Sequence, residues 1–203
     1  VGASAGAIAG SRAPHDALAA PPQDIAGLLE QLRRREKLDF VNLRDAAGRL
    51  RATQDGPADG ADRSSPAFLA IDAGEHTSVE VLSLAQLQRV HPSGAPRVAV
   101  PLLPTRNAVA TTREVEDRAL VLLSTRAVRG RDGTLLGHVQ AGLLLNRNLA
   151  FIDHVNAIVY PEGSLPFGSR GTATLFLDDV RISTNVRLFG GEKDERAIGA
   201  RVS

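Results

Sequence analysis

The chain has 203 residues, of which 43% are apolar, enough to bury one full domain and a further piece. Its 24 basic and 23 acidic residues leave a formal net charge of +1, and only 3% of residues are aromatic, which argues against nucleic-acid binding. The absence of cysteine excludes disulfides, thiolate nucleophiles and cysteine-ligated zinc.

The sequence contains neither a membrane-spanning pattern nor a signal peptide pattern. Its longest apolar runs, Ala119–Ser124 and Ala141–Leu145, are far shorter than the roughly 20 residues that a spanning helix needs. The chain starts at Val1 and contains no Met. We therefore expect it to be an excised piece of a larger protein.

The N-terminal residues favour helices. Residues 1–20 are rich in Ala and Gly, and their weak periodicity fits either a helical arm or a poorly ordered lead-in. Apolar residues then recur at helical spacing from Ile25 to Leu32. Because Asp24 can cap this segment and Arg33–Arg35 suit its C-terminal end, we predict an amphipathic helix.

A hairpin and two further helices are predicted next. Leu38–Arg44 alternates imperfectly in hydrophobicity, Asp45–Gly48 has the composition of a turn, and Arg49–Gln54 returns as the second strand. After a polar loop, the patterns of Pro66–Ala73 and Ser78–Val90 predict helices.

The sheet is predicted to resume in the second half of the chain. Val98–Leu103 has the pattern of a strand, and Pro104–Thr112 that of a polar loop. Arg118–Val128 and Thr134–Leu145 predict a long hairpin around the turn Gly130–Gly133.

A second amphipathic helix, Asn148–Val159, is predicted to follow and to end before Pro161. Asn is a preferred capping residue, so Asn148 fits the start of this helix. The apolar residues predicted on its buried face are Phe151, Ile152, Val155, Ile158 and Val159.

The last residues predict the beginning of another sheet. Thr172–Leu177 and Arg181–Val186 flank the turn formers Asp178-Asp179, and Ala197–Val202 has the pattern of a strand. The summed order predicts an α+β fold of PAS type, an antiparallel sheet of about five strands with helices packed on it.

Three stretches of the sequence carry a resemblance to a known family. They are Leu38–Arg49, Gly133–Asn148, and Gly171–Val186 followed by Arg196–Ser203. Together they resemble double Cache sensor domains, most closely the Cache-3/Cache-2 fusion of bacterial histidine kinases and chemoreceptors, from about Asp24 to the end of the chain.

The resemblance implies a periplasmic or extracellular sensor whose parent is anchored in the inner membrane by flanking helices. It implies a lead-in over residues 1–37, a membrane-distal, PAS-like sensing domain over 38–160, and the opening strands of an incomplete membrane-proximal domain over 161–203. The predicted function is binding of a small molecule by the membrane-distal domain of a transmembrane signalling receptor, with a histidine kinase as the first candidate.

One group of candidate ligand-binding residues lies in the predicted polar loop. Arg106, Asn107, Thr112 and Arg113 supply the hydrogen-bond donors that a small anion or polar metabolite needs. A solvated loop with no ligand is the other interpretation.

A second group lies in the long hairpin. His138 and Gln140 share one face of an otherwise apolar strand, where a buried polar group must find a partner in the core or in a ligand. Gly130–Gly133 permits two registers, so either Arg126 or Thr125 shares their face. We include Arg126 among the candidates. The predicted ligand is a small polar metabolite, with carboxylates among the candidates.

Other chemistries lack the residues that they need. Gly2–Gly6 matches the sequence motif of a nucleophile elbow, but no strand precedes it. The five His have no metal-ligand spacing, and there is no phosphate-binding loop. We therefore predict a non-catalytic chain with no cofactor and no metal. The alternative function is an ectodomain that binds a protein partner or forms a homodimer.

Overall fold

The computed structural model describes residues 1–19, 25–58, 75–106, 108–168, 171–188 and 195–202. The chain divides into two compact units: Val1–Ala95 with Val121–Leu144, and Pro96–Leu120 with Leu145–Ser203. Each unit combines two stretches that are separate in sequence. The predicted domains are continuous in sequence, and their boundaries stay a prediction.

Helices and strands occur in both units. The helices in the described part of the chain are α1 (Gly2–Ala9), α2 (Arg12–Ala19), α3 (Ile25–Arg35), α4 (Leu84–Val90), α5 (Ala95–Val98) and α6 (Leu149–Val159). The strands there are β1 (Phe40–Asp45), β2 (Leu50–Thr53), β3 (Gly56–Pro57), β4 (Glu75–Leu82), β5 (Val100–Pro101), β6 (Val115–Glu116), β7 (Ala119–Arg129), β8 (Leu135–Leu144), β9 (Thr174–Leu177) and β10 (Val180–Thr184).

The N-terminal residues are helical, which decides between the two alternatives for this segment. Ala5 and Ile8 of α1 are fully buried and belong to the main core. The predicted amphipathic helix is confirmed as α3, whose buried side is formed by Ile25, Leu29 and Leu32. Its predicted cap, Asp24, lies outside the described residues.

Six strands of the first unit form one sheet, in the order β3-β2-β1-β8-β7-β4. β1 pairs antiparallel with both β2 and β8, and β8 pairs antiparallel with β7. Both predicted hairpins of this sheet are therefore confirmed. In the first one, Gly48 has a φ of +80°, a conformation that glycine adopts without a steric penalty.

The predicted helix Ser78–Val90 is wrong in its first half. Those residues belong to β4, an edge strand with alternating exposed and partly buried side chains, and only α4 is helical. Three-residue spacing of apolar residues across the junction imitates a helix, whereas Ser83 starts α4 with a capping box to Gln86. The other predicted helix, Pro66–Ala73, lies outside the described residues.

One face of the sheet packs against α1, α2 and α3. Val41 and Leu43 of β1 pair in register with Ala141 and Val139 of β8. All four are completely buried in the same cluster as the apolar residues of the three helices. Burial of each large aliphatic side chain contributes about 1.5–3 kcal/mol, so this face is the main stabilising layer of the first unit.

The second unit is built around the hairpin β9–β10. Its turn places Asp178 at a φ of +53°, a left-handed conformation that Asp tolerates better than most residues. The core of this unit consists of Val100, Leu177, Val180 and Ile182. The predicted C-terminal hairpin is therefore confirmed.

Two predicted strands are only partly formed. Of Val98–Leu103, only β5 is a strand, with a single bridge from Leu103 to Ala200. Ala197–Val202 forms isolated bridges rather than a regular strand. Gly199 has a φ of +88°, and this turn interrupts the extended backbone that the sequence pattern predicts.

The helix after β8 is confirmed as α6, and the Asn148 side chain caps it by accepting a hydrogen bond from the backbone N–H of Phe151. The prediction of its buried face is wrong at the C-terminal end. Ile152 is buried, whereas Ile158 and Val159 are 64% and 58% exposed. The helix therefore packs through its first two turns only.

Candidate functional site

The face of the sheet that points away from α1–α3 is both buried and polar. Successive side chains of a strand point to opposite faces, and register places six residues of the two central strands together here. They are Phe40, Asn42 and Arg44 of β1 with Gly142, Gln140 and His138 of β8. All six are buried. Because buried polar groups are costly unless they are hydrogen-bonded, this polar face is the candidate functional site.

The register of the β7–β8 hairpin resolves the two alternatives left by its turn. Thr125 pairs with Gln140, and Arg126 pairs with Val139. Thr125 therefore belongs to the polar face, and Arg126 belongs to the face that packs against helices. The structure does not bring Arg126 together with His138 and Gln140.

The Arg126 guanidinium makes local contacts with β4. Its Nη1 donates to the backbone carbonyl of His76 at 3.2 Å, and its Nη2 donates to Thr77 Oγ1 at 3.4 Å. Its Nε lies 3.7 Å from a carboxylate oxygen of Glu75. These contacts join the edge strand to β7, and ligand binding by Arg126 stays a prediction.

Arg44 is the largest completely buried side chain in the described part of the chain, and it organises the polar face. Its Nη2 donates to Gln140 Oε1 at 3.1 Å, and its Nη1 donates to the Gly48 carbonyl at 3.1 Å. The guanidinium therefore holds the Gln140 amide in one orientation and ties the face to the first hairpin turn.

Several buried polar atoms of this face have no hydrogen-bond partner in the described part of the chain. They are both side-chain amide atoms of Asn42, Oγ of Ser78, Nε2 of His138 and Nε2 of Gln140. Ser78 belongs to this face because its neighbour Thr77 contacts Ser124 on the opposite one. Each buried group without a partner costs about 1–3 kcal/mol, so their concentration on one face needs a functional explanation.

His138 is an uncharged imidazole at neutral pH. Its burial lowers the pKa of the ring below the ordinary value, and the positive charges of Arg44 and Arg129 lower it further. The contact of Nδ1 with the Asp45 carbonyl, at 3.4 Å, opposes this shift and does not overcome it.

Aromatic and small residues close one end of the polar face. The Phe40 ring lies over Gly142, where an added Cβ would lie 2.0 Å from the ring. The rings of Phe40 and His91 are 5.6 Å apart, and His91 Nδ1 lies 2.8 Å from Gln54 Nε2. This end of the polar face is therefore packed.

The predicted loop residues belong to the second unit. Arg106 and Thr112 are exposed, and Asn107 lies outside the described residues. Arg113 forms an ion pair with the completely buried Glu116. Ligand binding by this loop stays a prediction.

Glu116 is held as a carboxylate by two arginines. Arg118 donates to it at 2.7 Å and 2.8 Å, and Arg113 also donates. Burial raises the pKa of Glu116, and the hydrogen bonds from Arg118 and Arg113 outweigh burial, so its pKa lies below the ordinary value. The loop arginine therefore has a structural role in this ion pair.

An open cleft of about 1160 Å³ lies at the end of α6 in the second unit. Three of the polar side chains that line it already have partners in the protein. Arg196 donates to both carboxylate oxygens of Asp153 at 2.7 and 2.8 Å, and Asn185 donates to the Gly171 carbonyl at 3.2 Å. Only Asn156 Oδ1 is buried without a partner in the described part of this cleft. The polar face of the first unit is therefore the stronger candidate.

The described residues contain neither a metal-binding cluster nor a membrane-spanning helix. Among these residues, no cluster of three His, Asp or Glu side chains could hold a metal ion. No helix described by the structure combines the length and apolar character needed to cross a bilayer.

The sequence analysis identified His138 and Gln140 and missed the residues opposite them. Asn42 and Arg44 alternate with Val41 and Leu43 just as His138 and Gln140 alternate with apolar neighbours. A polar residue at every second position of β1 is therefore the sequence signal that could have identified Asn42 and Arg44.

Comparison with known proteins shows the fold. No family model and no curated protein matches the chain. The periplasmic domain of Vibrio cholerae LuxQ matches with a TM-score of 0.50 and 13% identity, over 91% of this chain and 70% of that one. The sensor domain of E. coli DcuS matches with a TM-score of 0.42 and 18% identity, over 70% and 83% of the two chains.

The likeness to LuxQ shows a shared fold. The prediction of an α+β, PAS-like sheet flanked by helices is therefore confirmed. The described sheet has six strands rather than about five because the two-residue β3 extends its edge.

Proposed function

We propose that this chain is the extracytoplasmic sensing part of a bacterial transmembrane signalling receptor and that it binds a small polar molecule on the polar face of its six-stranded sheet. A histidine kinase is the first candidate for the parent protein. The chain itself is non-catalytic in this proposal. The periplasmic origin of the LuxQ domain, which shares the fold, supports the proposed compartment.

The observation that carries this proposal is the group of buried polar atoms without partners on one face. A fold that is selected for stability alone fills such a layer with apolar side chains, as the opposite face does with Val41, Leu43, Val139 and Ala141. A polar ligand satisfies the amide and imidazole atoms that the protein leaves unpaired. Such unpaired groups also give specificity, because a molecule without matching groups leaves them unsatisfied.

Binding becomes a signal only if the ligand prefers one conformation of the receptor. A ligand shifts a conformational equilibrium by its differential affinity for the two states and by nothing else. The hairpin anchored by Arg44 joins the polar face to the turn at Gly48. Rearrangement of the polar face on binding would therefore act directly on this turn.

The test is a thermal-shift screen of the full 203-residue chain against small carboxylates, amino acids, amines, amides and sugars. A ligand at about one hundred times its dissociation constant adds about 2.7 kcal/mol of stability, a shift of a few degrees for a chain of this size. Hits are then measured by calorimetry on Asn42→Leu, which removes two unpaired atoms without breaking a described hydrogen bond.

The matched control is Gln88→Leu, an exposed position on α4. We expect Asn42→Leu to abolish the shift and Gln88→Leu to keep it. A panel without hits, or hits that Asn42→Leu leaves unchanged, would show that the polar face is not the binding site.

A second candidate function is a contact with another protein. Three large apolar side chains of the second unit, Ile158, Val159 and Phe167, are exposed, and exposed apolar surface is typical of interaction sites. Sedimentation of the chain beside a double variant, Ile158→Ser with Val159→Ser, tests it. A concentration-dependent dimer that the variant abolishes would favour this function.

A further inference from the structure

The unpaired donors and acceptors of the polar face restrict which ligand can bind there. This inference rests on the proposed function. Three residues set the pattern: Asn42, His138 and Gln140, each at most 1% exposed. For each one, the partner that it already has in the protein determines what its remaining atoms can do.

The tautomer of His138 follows from its contact with the backbone. Nδ1 lies 3.4 Å from the carbonyl oxygen of Asp45, and a carbonyl can only accept. The proton of the neutral ring therefore belongs on Nδ1, and Nε2 carries a lone pair. Nε2 has no partner among the described residues, so it is an open acceptor that requires a donor.

The orientation of the Gln140 amide follows from Arg44. A guanidinium only donates, so the atom 3.1 Å from Arg44 Nη2 is the oxygen, Oε1. The amide nitrogen is then the free end of the side chain and has no partner in the described residues. Gln140 is therefore an open donor. Asn42, with both amide atoms unpartnered, offers a donor and an acceptor.

These groups lie close enough to contact one small molecule. Asn42 and Gln140 are directly opposite in the β1–β8 register, a separation of about 5 Å between Cβ atoms. His138 lies two residues along β8 from Gln140, about 7 Å away on the same face. A ligand of only a few heavy atoms spans this distance.

We infer that the ligand presents a hydrogen-bond donor to Nε2 of His138 and acceptor oxygens to the amides of Gln140 and Asn42. Small hydroxy acids and hydroxy amides have this pattern, because a hydroxyl stands beside a carboxylate or carboxamide. A molecule that carries acceptors alone places an oxygen against the His138 lone pair and leaves it unpaired.

The test compares probes that differ only in the hydroxyl. Calorimetry on the full chain is carried out with lactate against propionate and with glycolate against acetate, because propionate and acetate carry acceptors alone. We expect the hydroxyl-bearing member to bind about tenfold more tightly, the effect of one satisfied buried hydrogen bond. In His138→Phe, which keeps a planar ring without nitrogen, this ratio falls to about one.

Protonation of His138 supplies a readout that a purely structural role would not move. Protonated His138 has a proton on Nε2 and donates. Because the pKa of the ring is lowered from its ordinary value of about 6.5, the preference for hydroxyl-bearing carboxylates should hold above that pH and fall as the pH decreases through the lowered pKa. The charged groups that act on this ring are Arg44 and Asp45 from β1 and Arg129 from β7. Long-range ¹H–¹⁵N spectra of the unliganded chain report the tautomer directly, with the proton expected on Nδ1.

The outcomes separate this inference from the proposed function. Binding that is lost in Asn42→Leu but does not depend on the hydroxyl would keep the site and overturn the donor requirement. A proton on Nε2 in the neutral ring would also overturn it. Failure of every probe to bind would overturn the inference alone, because the proposed function is decided by the wider thermal-shift screen and by Asn42→Leu.

Discussion

On the central strand β1, the two faces of the six-stranded sheet are equally buried and differ in chemistry. On β1, Val41 and Leu43 point into the core with α1–α3, whereas Asn42 and Arg44 point to the other side, and all four have an exposure of 0%. Burial therefore does not distinguish a structural layer from a functional one in this unit. The difference lies in whether each buried atom has a partner in the protein.

This difference predicts opposite responses to substitution. The face that packs against helices gains stability from each apolar contact, so truncation there costs free energy. The polar face carries unpaired amide and imidazole atoms, so removal of these atoms relieves a cost. A fold that holds such a layer gives up stability that a ligand can restore on binding.

The largest effect is expected on the face that packs against helices. Leu43→Ala removes a completely buried side chain and leaves a cavity, so the free energy of unfolding should fall by about 2–5 kcal/mol. Urea denaturation measures it, with Val79→Ala, at a position 59% exposed on β4, as the control. A loss below about 1 kcal/mol would show that the helices do not pack tightly on this face.

A smaller loss of stability is expected from a substitution at the end of the polar face that Phe40 packs against. In Gly142→Ala the new Cβ lies 2.0 Å from the Phe40 ring, and overpacking of this kind costs about 1–3 kcal/mol. Gly27→Ala in α3 is the matched control, because no atom lies within 4 Å of its new Cβ. That change should add roughly 0.5–1 kcal/mol, so the two variants should shift the thermal midpoint in opposite directions.

Because the Asn42 amide is unpaired in the described part of the chain, its removal should increase the stability of the unliganded chain. Asn42→Leu should raise the free energy of unfolding of the unliganded chain by about 1 kcal/mol, because it removes two buried atoms that have no partner in the described residues. Asn185→Leu is the contrasting change, since the Asn185 amide bonds to Gly171 and Ala173. It should destabilise by about 1–3 kcal/mol. Loss of stability in Asn42→Leu would mean that this amide is satisfied in solution.

The central sheet could be predicted from the sequence because the two-residue alternation of apolar side chains and the turn-forming residues indicated the same hairpins. The hairpins around Gly48 and Gly133 combine apolar alternation with glycines at positive φ, and both are present. The prediction failed at β4, an edge strand whose burial alternates only weakly and whose apolar spacing continues into α4. Local pattern cannot separate strand from helix where tertiary pairing decides.

The candidate site was only half predictable for a similar reason. His138 and Gln140 stand out as polar residues in an apolar strand, but the register that adds Thr125 and removes Arg126 is a property of the folded hairpin. Arg113 shows a second limit of the sequence pattern, which does not reveal whether an arginine already has a partner. A loop arginine has the sequence signature of an anion site, and only the fold reveals that buried Glu116 already binds it.

The smallest expected effect is the pH dependence contributed by His138. Its pKa in the folded chain is lowered, mainly by burial, while the unfolded chain keeps the ordinary value of about 6.5. Below that value the unfolded state binds more protons, so stability should decrease as pH falls from about 6.5 toward the lower, folded-state pKa. His138→Gln should flatten this part of the stability profile, whereas His154→Gln, at an exposed position on α6, should not. Profiles that stay parallel would show that water reaches the ring and that the polar face is less dry than the one against the helices.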